Sequence, residues 1–326
     1  MWLAVKDTDI HEIGRSLAES RAVFAVPVLA FLFSCHLAKS FRWKLLVQPL
    51  RRARLRDVFK IVMLGYASNS VLPAQLGELV RMHLLGRLLK LRNSAVLATI
   101  VLERMFDFLV VVLLLGAALV TSREVSPELA SVGYFVGGAG IALMLFCFLF
   151  TVWTPWFIKA IETVLRVVPA RIRGSIVREA TLAANGLTAL RDTRLLSASA
   201  LASLVQWFLM GTSIYISLLA VGISVPFAAV FVVVAFNVAG LSLPSTPGFF
   251  GTIELCFVLA LRQYGVENEN AVAAAIFWHL LAFTSTMVVS LVIVLRTGYS
   301  VREIEWLSDS NLELSRDEVD ALRNDR

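Results

Sequence analysis

Apolar residues run along this chain in long blocks, with polar residues gathered between them. Five blocks stand out: Val23 to Val47, Ala95 to Val120, Ser131 to Trp153, Leu195 to Val221 and Ala271 to Leu295. Each reaches the roughly 20 residues that a helix needs to cross the hydrocarbon core of a bilayer. Two further blocks are broken by Pro/Gly-rich bends. One runs from Val58 through Gly65 to Pro73 and resumes from Gly77 to Leu91. The other runs from Pro226 through Gly240 to Pro244 and resumes from Gly248 to Leu261. Each half is about 15 residues long, short for a crossing at 1.5 Å per residue. The pattern predicts an all-α polytopic membrane protein with about five full transmembrane helices and two re-entrant helical hairpins. Irregular backbone at membrane depth survives where it is buried in protein or lines a wet cavity.

Composition narrows the class. Of 326 residues, 58% are apolar and 17% charged, with a mean hydropathy of +0.77. A soluble domain has roughly 45–50% apolar and about 25% charged residues. An ordinary cytosolic enzyme, a disordered chain and a secreted disulfide scaffold are therefore excluded. Cys35, Cys147 and Cys256 lie inside apolar blocks without CxxC spacing, so neither a disulfide nor a metal site is expected. No cofactor is implied, and no cleavable signal peptide is visible.

Charge orients the chain. Thirty basic residues face 24 acidic ones, for a net +6. The excess lies in loops, which points to anionic lipid rather than nucleic acid. Arg51, Arg52, Arg54, Arg56 and Lys60 follow the first block. Arg81, Arg87, Lys90 and Arg92 lie on the return of the first hairpin. Lys159, Arg166, Arg171, Arg173, Arg178 and Arg191 lie in the connection from Thr154 to Arg194. If both broken blocks are hairpins, all of these share one face. The opposite face carries Arg123 with Glu124 and Glu128, and Arg262 with Glu267 and Glu269. Excess Lys and Arg mark the cytoplasmic side. The expected location is the cytoplasmic (inner) membrane, with the C-terminus cytoplasmic and the N-terminus outside.

Residues 1–22 then form an extracytoplasmic interfacial segment, with Ile10, Ile13 and Leu17 spaced for a short amphipathic helix. Residues 23–299 form the transmembrane domain. Within it, 155–194 reads as an amphipathic cytoplasmic connection. Residues 300–326 read as a polar cytoplasmic tail.

The two halves also resemble each other. A span, a hairpin and a span make one unit, and the same order recurs. Asn69-Ser-Val-Leu-Pro73 before Gly77 parallels Leu241-Ser-Leu-Pro244 before Pro247-Gly248. Ala95-Val-Leu-Ala-Thr-Ile parallels Ala271-Val-Ala-Ala-Ala-Ile, a register that sets Glu103 opposite His279. An odd number of full spans would place the units in opposite orientations. Inverted repeats with broken helices near the midplane are a transporter signature.

Candidate chemistry sits where charge is expensive. Glu103, Arg104 and Asp107 lie two to three turns inside one apolar block. Each ionised group at mid-bilayer costs roughly 2.5–3.5 kcal/mol on insertion scales. Glu103 and Asp107 share a face at i and i+4, and Arg104 neutralises Asp107 at i+3. Either they form a packing cluster, or they serve lipid head groups or coupling protons. The first bend, with Asn69, Pro73 and Gly77, opens a helix whose free N–H groups attract anions. Arg81 adds a two-pronged phosphate partner. Glu78 would repel phosphate unless it caps the helix or pairs with Arg81 or Arg104. The second bend, with Pro244, Pro247, Gly248 and Gly251, repeats this logic, with its helix beginning near Gly248 and Glu254 inside the apolar run. His279 is a candidate proton carrier by residue type, and Asn237 is placed to bond carbonyls freed at the break. Arg42-Trp43 reads as an interfacial pair, a snorkelling Arg beside a belt Trp.

Together these motifs resemble a known family. Arg42-Trp43, Asn69-x-x-Leu-Pro73-x-x-x-Gly77-Glu78-x-x-Arg81, Glu103-Arg104-x-x-Asp107 and Pro244-x-x-Pro247-Gly248-x-x-Gly251-x-x-Glu254 look like the transmembrane region of lysylphosphatidylglycerol synthases. That region also occurs alone as flippase-like membrane proteins. The resemblance covers residues 10 to 300. It implies movement of a phospholipid between leaflets, without the soluble domain that attaches the amino acid. Relatives usually carry another span ahead of the segment matching Trp2–Ser20, so a shortened start is expected here.

The leading expectation is a lipid translocator for a phospholipid or lipid-linked head group. Arg81, Arg104 and the helix starts at Gly77 and Gly248 would hold the head group. Glu78, Glu103, Asp107 and Glu254 would balance charge, attract an aminoacyl amine or carry protons. One alternative is an intramembrane lipid-carrier transferase, although no His-x-x-x-His or Gly-x-Ser-x-Gly pattern occurs. Another is a non-transporting partner of a lipid-modifying enzyme. Partners would be membrane lipid, with a lipid-modifying enzyme or a second copy as further candidates.

Overall fold

The computed structural model describes residues 10–72, 76–120, 127–165, 170–242 and 246–297. Pro73, Pro244, the Cys147 side chain, residues 1–9 of the N-terminal segment and the 300–326 tail lie outside them. Among the described residues the chain is all-helical, with no strand. A short α1 (Ile10–Ala18) precedes α2 (Ala25–Val47). The first broken block folds as α3 (Leu55–Val71) and α4 (Gly77–Leu89), and α5 (Asn93–Val120) follows. Next come α6 (Pro127–Val152), α7 (Thr154–Val164), α8 (Ala170–Gly186) and α9 (Thr193–Ala220). The second broken block folds as α10 (Ala229–Leu241) and α11 (Thr252–Leu261), and α12 (Asn268–Thr297) ends the series.

Among the described residues, three stretches are long and apolar enough to cross a membrane: Ala22–Val47, Thr193–Ala220 and Asn268–Thr297. At 28 residues, α5 is about 42 Å long, but it carries the three charges noted above. Large apolar side chains face outward along these helices. Leu201 is 63% exposed, Leu291 58% and Leu145 52%. In water such a surface is an aggregation hazard; in a bilayer it faces its own solvent.

Local chemistry sets the ends. Asp192 caps α9, its carboxylate accepting from the Arg194 and Leu195 N–H groups at 2.8 and 3.3 Å. Lys90 ends α4 in the left-handed conformation (φ 54°), and Leu91 N–H returns to the Gly86 carbonyl. The second broken block corrects one expectation. Its helix begins at Thr252, with Gly251 as N-cap, and not near Gly248. Pro247–Phe249 form a single 3-10 turn, in which Gly248 (φ 68°) and Phe249 (φ 62°) are left-handed. Two successive residues at positive φ cannot continue a right-handed helix.

Packing follows a paired scheme. α2 lies along α9. α3 packs on α4 as α10 packs on α11. α2 packs on α3 as α9 does on α10, and α4 on α5 as α11 does on α12. Across the halves, α3 meets α12 and α10 meets α5. Two apolar cores result. One gathers Trp43, Val62, Leu85 and Leu102 around the first hairpin. The other gathers Leu32, Val111, Leu218, Val233 and Phe257 around the second. Along α2 the handover between cores falls at Cys35, His36 and Lys39; along α5 it falls between Phe106 and Val111. The polar residues of the next subsection cluster at that handover.

Outside the apolar helices, α8 is fastened to the start of α5. Glu179 accepts hydrogen bonds from Arg92 and from Ser94 Oγ, the latter at 2.7 Å. These bonds, Arg92 first, hold the Glu179 carboxyl below its ordinary range. A lowered folded pKa means that the contribution is present above the unfolded value of about 4.3 and lost as pH falls through the folded one. Hydrogen exchange along α8 is therefore expected to accelerate on acidification below that range. In Glu179→Gln this acceleration should be absent.

A charged cavity between two broken helices

The charged cluster of α5 is the organising element. Glu103 is fully buried and receives Arg81 of α4 in two-pronged fashion, Nη1 to Oε1 at 3.2 Å and Nη2 to Oε2 at 2.6 Å. Lys39 Nζ of α2 lies 3.2 Å from Glu103 Oε1, and Arg104 and Arg42 approach the same oxygen at 3.4 and 3.6 Å. Asp107 Oδ1 accepts from Arg42 Nη1 at 2.7 Å and from Trp207 Nε1 of α9 at 3.0 Å. Arg104 Nη1 lies 3.6 Å from Asp107 Oδ2. Glu78 joins the two faces, taking Arg81 at 2.8 Å and Arg104 at 2.7 Å. Four cations (Lys39, Arg42, Arg81, Arg104) meet three carboxylates (Glu78, Glu103, Asp107), which leaves one positive charge.

Burial separates their roles. Arg42 and Arg81 are closed off, and Arg81 also lies 4.2 Å over the Trp43 ring. Arg104 keeps 39% of its side chain exposed. The sequence-based reading of Arg42-Trp43 as an interfacial pair is thus corrected: both are fully buried, because Asp107 and Ser203 take Arg42 Nη1 and Thr99 takes the indole N–H. Arg81, expected to face phosphate, is committed to Glu103 and Glu78.

The bends have defined geometry. Asn69 Oδ1 accepts the Gly77 N–H at 2.7 Å, so this amide is taken by the protein itself. A Cβ on Gly77 would stand 2.0 Å from the Gly65 carbonyl, so α3 and α4 approach backbone to backbone only through glycine. In the second hairpin, Glu254 Oε2 accepts the Gly251 N–H at 2.5 Å and so caps α11. Glu254 Oε1 meets His279 Nδ1 at 2.9 Å, and His279 Nε2 meets the Gly248 carbonyl at 2.9 Å. The bends touch: the 3-10 turn packs on α3, close to the Ser70 carbonyl.

Between them lies a cavity of about 290 Å³. Lys39, Glu78, Arg104 and Asp107 line one part, Gly248, Phe249 and His279 another, and Asn69, Ser70 and Ser242 the bend region. Trp207, Phe108 and Phe283 supply apolar wall. Asp107 Oδ2 and Gln206 Oε1 are buried there without a hydrogen-bond donor. Asn237 is buried outside the cavity lining, its Oδ1 also without a donor. Pro247 opens the 3-10 turn. Lys39, Gln206 and Trp207 were not marked by the sequence; the only local signal was a lysine two turns inside a span. Among the described residues no group of His, Cys, Asp and Glu is arranged to hold a metal ion.

The family model for the lysylphosphatidylglycerol synthase TM region matches residues 1–290. A 79-residue stretch is 35% identical to a phosphatidylglycerol lysyltransferase of Bacillus subtilis (strain 168). The stretch is 24% of this chain and spans only 9% of that enzyme's length. With most of its length matched, this helical membrane protein belongs to the lysylphosphatidylglycerol synthase TM region family.

Proposed function

We propose that this protein translocates a phospholipid or lipid-linked head group between the leaflets of the cytoplasmic membrane, and is not itself a transferase. The observation that carries the reading is the charged cavity at the junction of two broken helices, lined by Lys39 and Arg104 with Glu78 and Asp107. Lys39 and Arg104 suit a phosphate, and the unfilled acceptors Asp107 Oδ2 and Gln206 Oε1 suit a head-group amine or hydroxyl. The acyl chains stay in lipid while the head group crosses.

Topology supports it. α2, α5, α6, α9 and α12 act as five full spans, and the α3–α4 and α10–α11 hairpins enter from opposite faces as an inverted repeat. The paired packing scheme favours this arrangement, as does the register of Glu103 and His279. Each of these residues takes a charged side chain from the second half of its own broken helix, Arg81 in one unit and Glu254 in the other. With the basic loops inside, the first hairpin opens to the cytoplasm and the second to the outside. The ion cluster and the His279–Glu254 pair then lie on opposite sides of the touching bends, facing one cavity, as alternating access requires.

The test is leaflet exchange of labelled phospholipids in reconstituted vesicles. Wild type should exceed protein-free vesicles, and Arg104→Ala should fall to their rate. Equal rates for wild type and empty vesicles would sink the reading. Mass spectrometry of the same vesicles supplied with aminoacyl or sugar donors separates a transferase, which would yield modified lipid.

A further inference from the structure

The hydrogen bonds of His279 specify more than packing. One ring nitrogen faces a carboxylate oxygen, Glu254 Oε1, and the other faces a backbone carbonyl, Gly248 O. Both partners accept. A neutral imidazole has one N–H and one lone pair, so it satisfies only one of them. Glu254 Oε2 is occupied as acceptor by the Gly251 N–H. Both contacts of the ring therefore hold only when an extra proton lies in the pair, either as imidazolium beside carboxylate or as carboxylic acid donating to Nδ1. In either form Nε2–H donates to Gly248.

We infer that His279 and Glu254 form a proton-binding site that couples transport to a proton gradient, with Gly248 in the second bend as the part that responds. This deepens the translocation reading and rests on it. The loaded pair is neutral and holds the bend to α12. When one proton leaves to the aqueous phase, the pair becomes −1. A lone pair then faces either Oε1 or the Gly248 carbonyl, and that contact opens. Gly248 and Phe249 are held at positive φ, a conformation that needs surrounding contacts to persist. Loss of the imidazole contact therefore acts on the segment most dependent on it. The same cavity receives the head group, so a singly anionic lipid meets a neutral pair when loaded and a like charge when unloaded.

The surroundings leave this pair distinct from the ion cluster. On the cavity side, α2 presents His36 and Lys39, α3 presents Tyr66, and across the cavity lie Glu78, Arg104 and Asp107. The residues lining the cavity from α9, Gln206, Trp207 and Met210, are uncharged. α1 packs on α12 near Asn270, where it meets Ser16, about 13 Å along the helix from His279.

One substitution separates titration from packing. In Glu254→Gln the amide oxygen accepts from Gly251, the amide N–H donates to Nδ1, and Nε2–H still donates to Gly248. Every contact is kept with a neutral ring, and the exchangeable proton is gone. Vesicles holding wild type or Glu254→Gln are given a one-unit pH gradient at clamped membrane potential, and labelled phosphatidylglycerol is counted in each leaflet. One proton per lipid predicts about a tenfold leaflet asymmetry for wild type, reversing when the gradient is reversed, and a ratio near one for the variant. Solid-state NMR of ¹⁵N-histidine and ¹³C-glutamate in the same vesicles counts protons on the pair. Wild type should lose one proton from the pair as pH is raised, and Glu254→Gln none. A wild-type protein that exchanges lipid with a ratio of one overturns the inference. A protein that exchanges no lipid sinks the translocation reading instead, and an unchanged proton count in the NMR arm then overturns this one as well.

Discussion

Replacing Glu103 with glutamine is expected to destabilise the protein by about 3–5 kcal/mol, the usual cost of stranding a buried charge. Glu103 is fully buried and answers Arg81, Lys39, Arg42 and Arg104 at once. Without it, four cations face two carboxylates in a setting where ions are poorly solvated. Arg81 suffers most, because its two-pronged partner disappears while the guanidinium stays 1% exposed. Arg81→Met should be similarly harmful, since it leaves Glu103 short of a partner. The double variant Arg81→Met/Glu103→Gln should cost clearly less than the sum of the two single changes, because both charges of a desolvated pair are removed together. Equilibrium unfolding in mixed micelles measures all three. Arg104→Ala is the contrast. Its side chain is 39% exposed, so its removal should cost only about 1 kcal/mol while abolishing exchange. Simple additivity in the double variant would show that Arg81 and Glu103 do not act as a pair.

The second large effect is steric. Gly77→Ala places a methyl group 2.0 Å from the Gly65 carbonyl and 2.5 Å from Asn69 Oδ1. Neither the α3 backbone nor the bond that caps α4 can yield without parting the hairpin. A loss of about 3 kcal/mol, the upper end for overpacking, is expected. Arg81 is carried on the same helix one turn later, so the ion cluster should loosen with it. Gly116→Ala is the control. A Cβ there meets nothing within 4 Å, and alanine is favoured over glycine in mid-helix by about 0.5–1 kcal/mol. Gly77→Ala unfolding at the wild-type midpoint would contradict the close approach of the two backbones.

Much of the helical layout was legible in the sequence, because a bilayer forces long apolar blocks and the Pro/Gly breaks interrupt them visibly. Asn93–Val120 and Asn268–Thr297 lie within a few residues of the blocks that foretold them. The charges of α5 were legible as costly. Some of their partners were legible: Arg104 with Asp107 nearby, and Glu78 with Arg81 or, 26 residues away, with Arg104. Arg104–Asp107 and Glu78–Arg81 sit three residues apart, and both occur. The stronger pairings are distant: Glu103 with Arg81, 22 residues away, and Asp107 with Arg42, 65 away. Nothing local distinguishes Arg42 from a basic residue at a membrane surface, because its burial is decided by α5 and α9 folding over it. Lys39 was passed over for the same reason. The start of α11 was misread because Pro247-Gly248 looks like a helix entrance. The left-handed Gly248 and Phe249 instead insert a turn, and Glu254 supplies the cap from three residues beyond Gly251.

The central claim is that the head group of a phospholipid enters the cavity between the two bends. Phospholipid carrying a photoactivatable head group, cross-linked in reconstituted vesicles and mapped by mass spectrometry, tests it most directly. The account predicts labelling of Cys35, Trp207 and Phe283 in the cavity wall, lost in Arg104→Ala. Labelling confined to outward-facing positions such as Leu145, Leu201 and Leu291, and unchanged by Arg104→Ala, would contradict it.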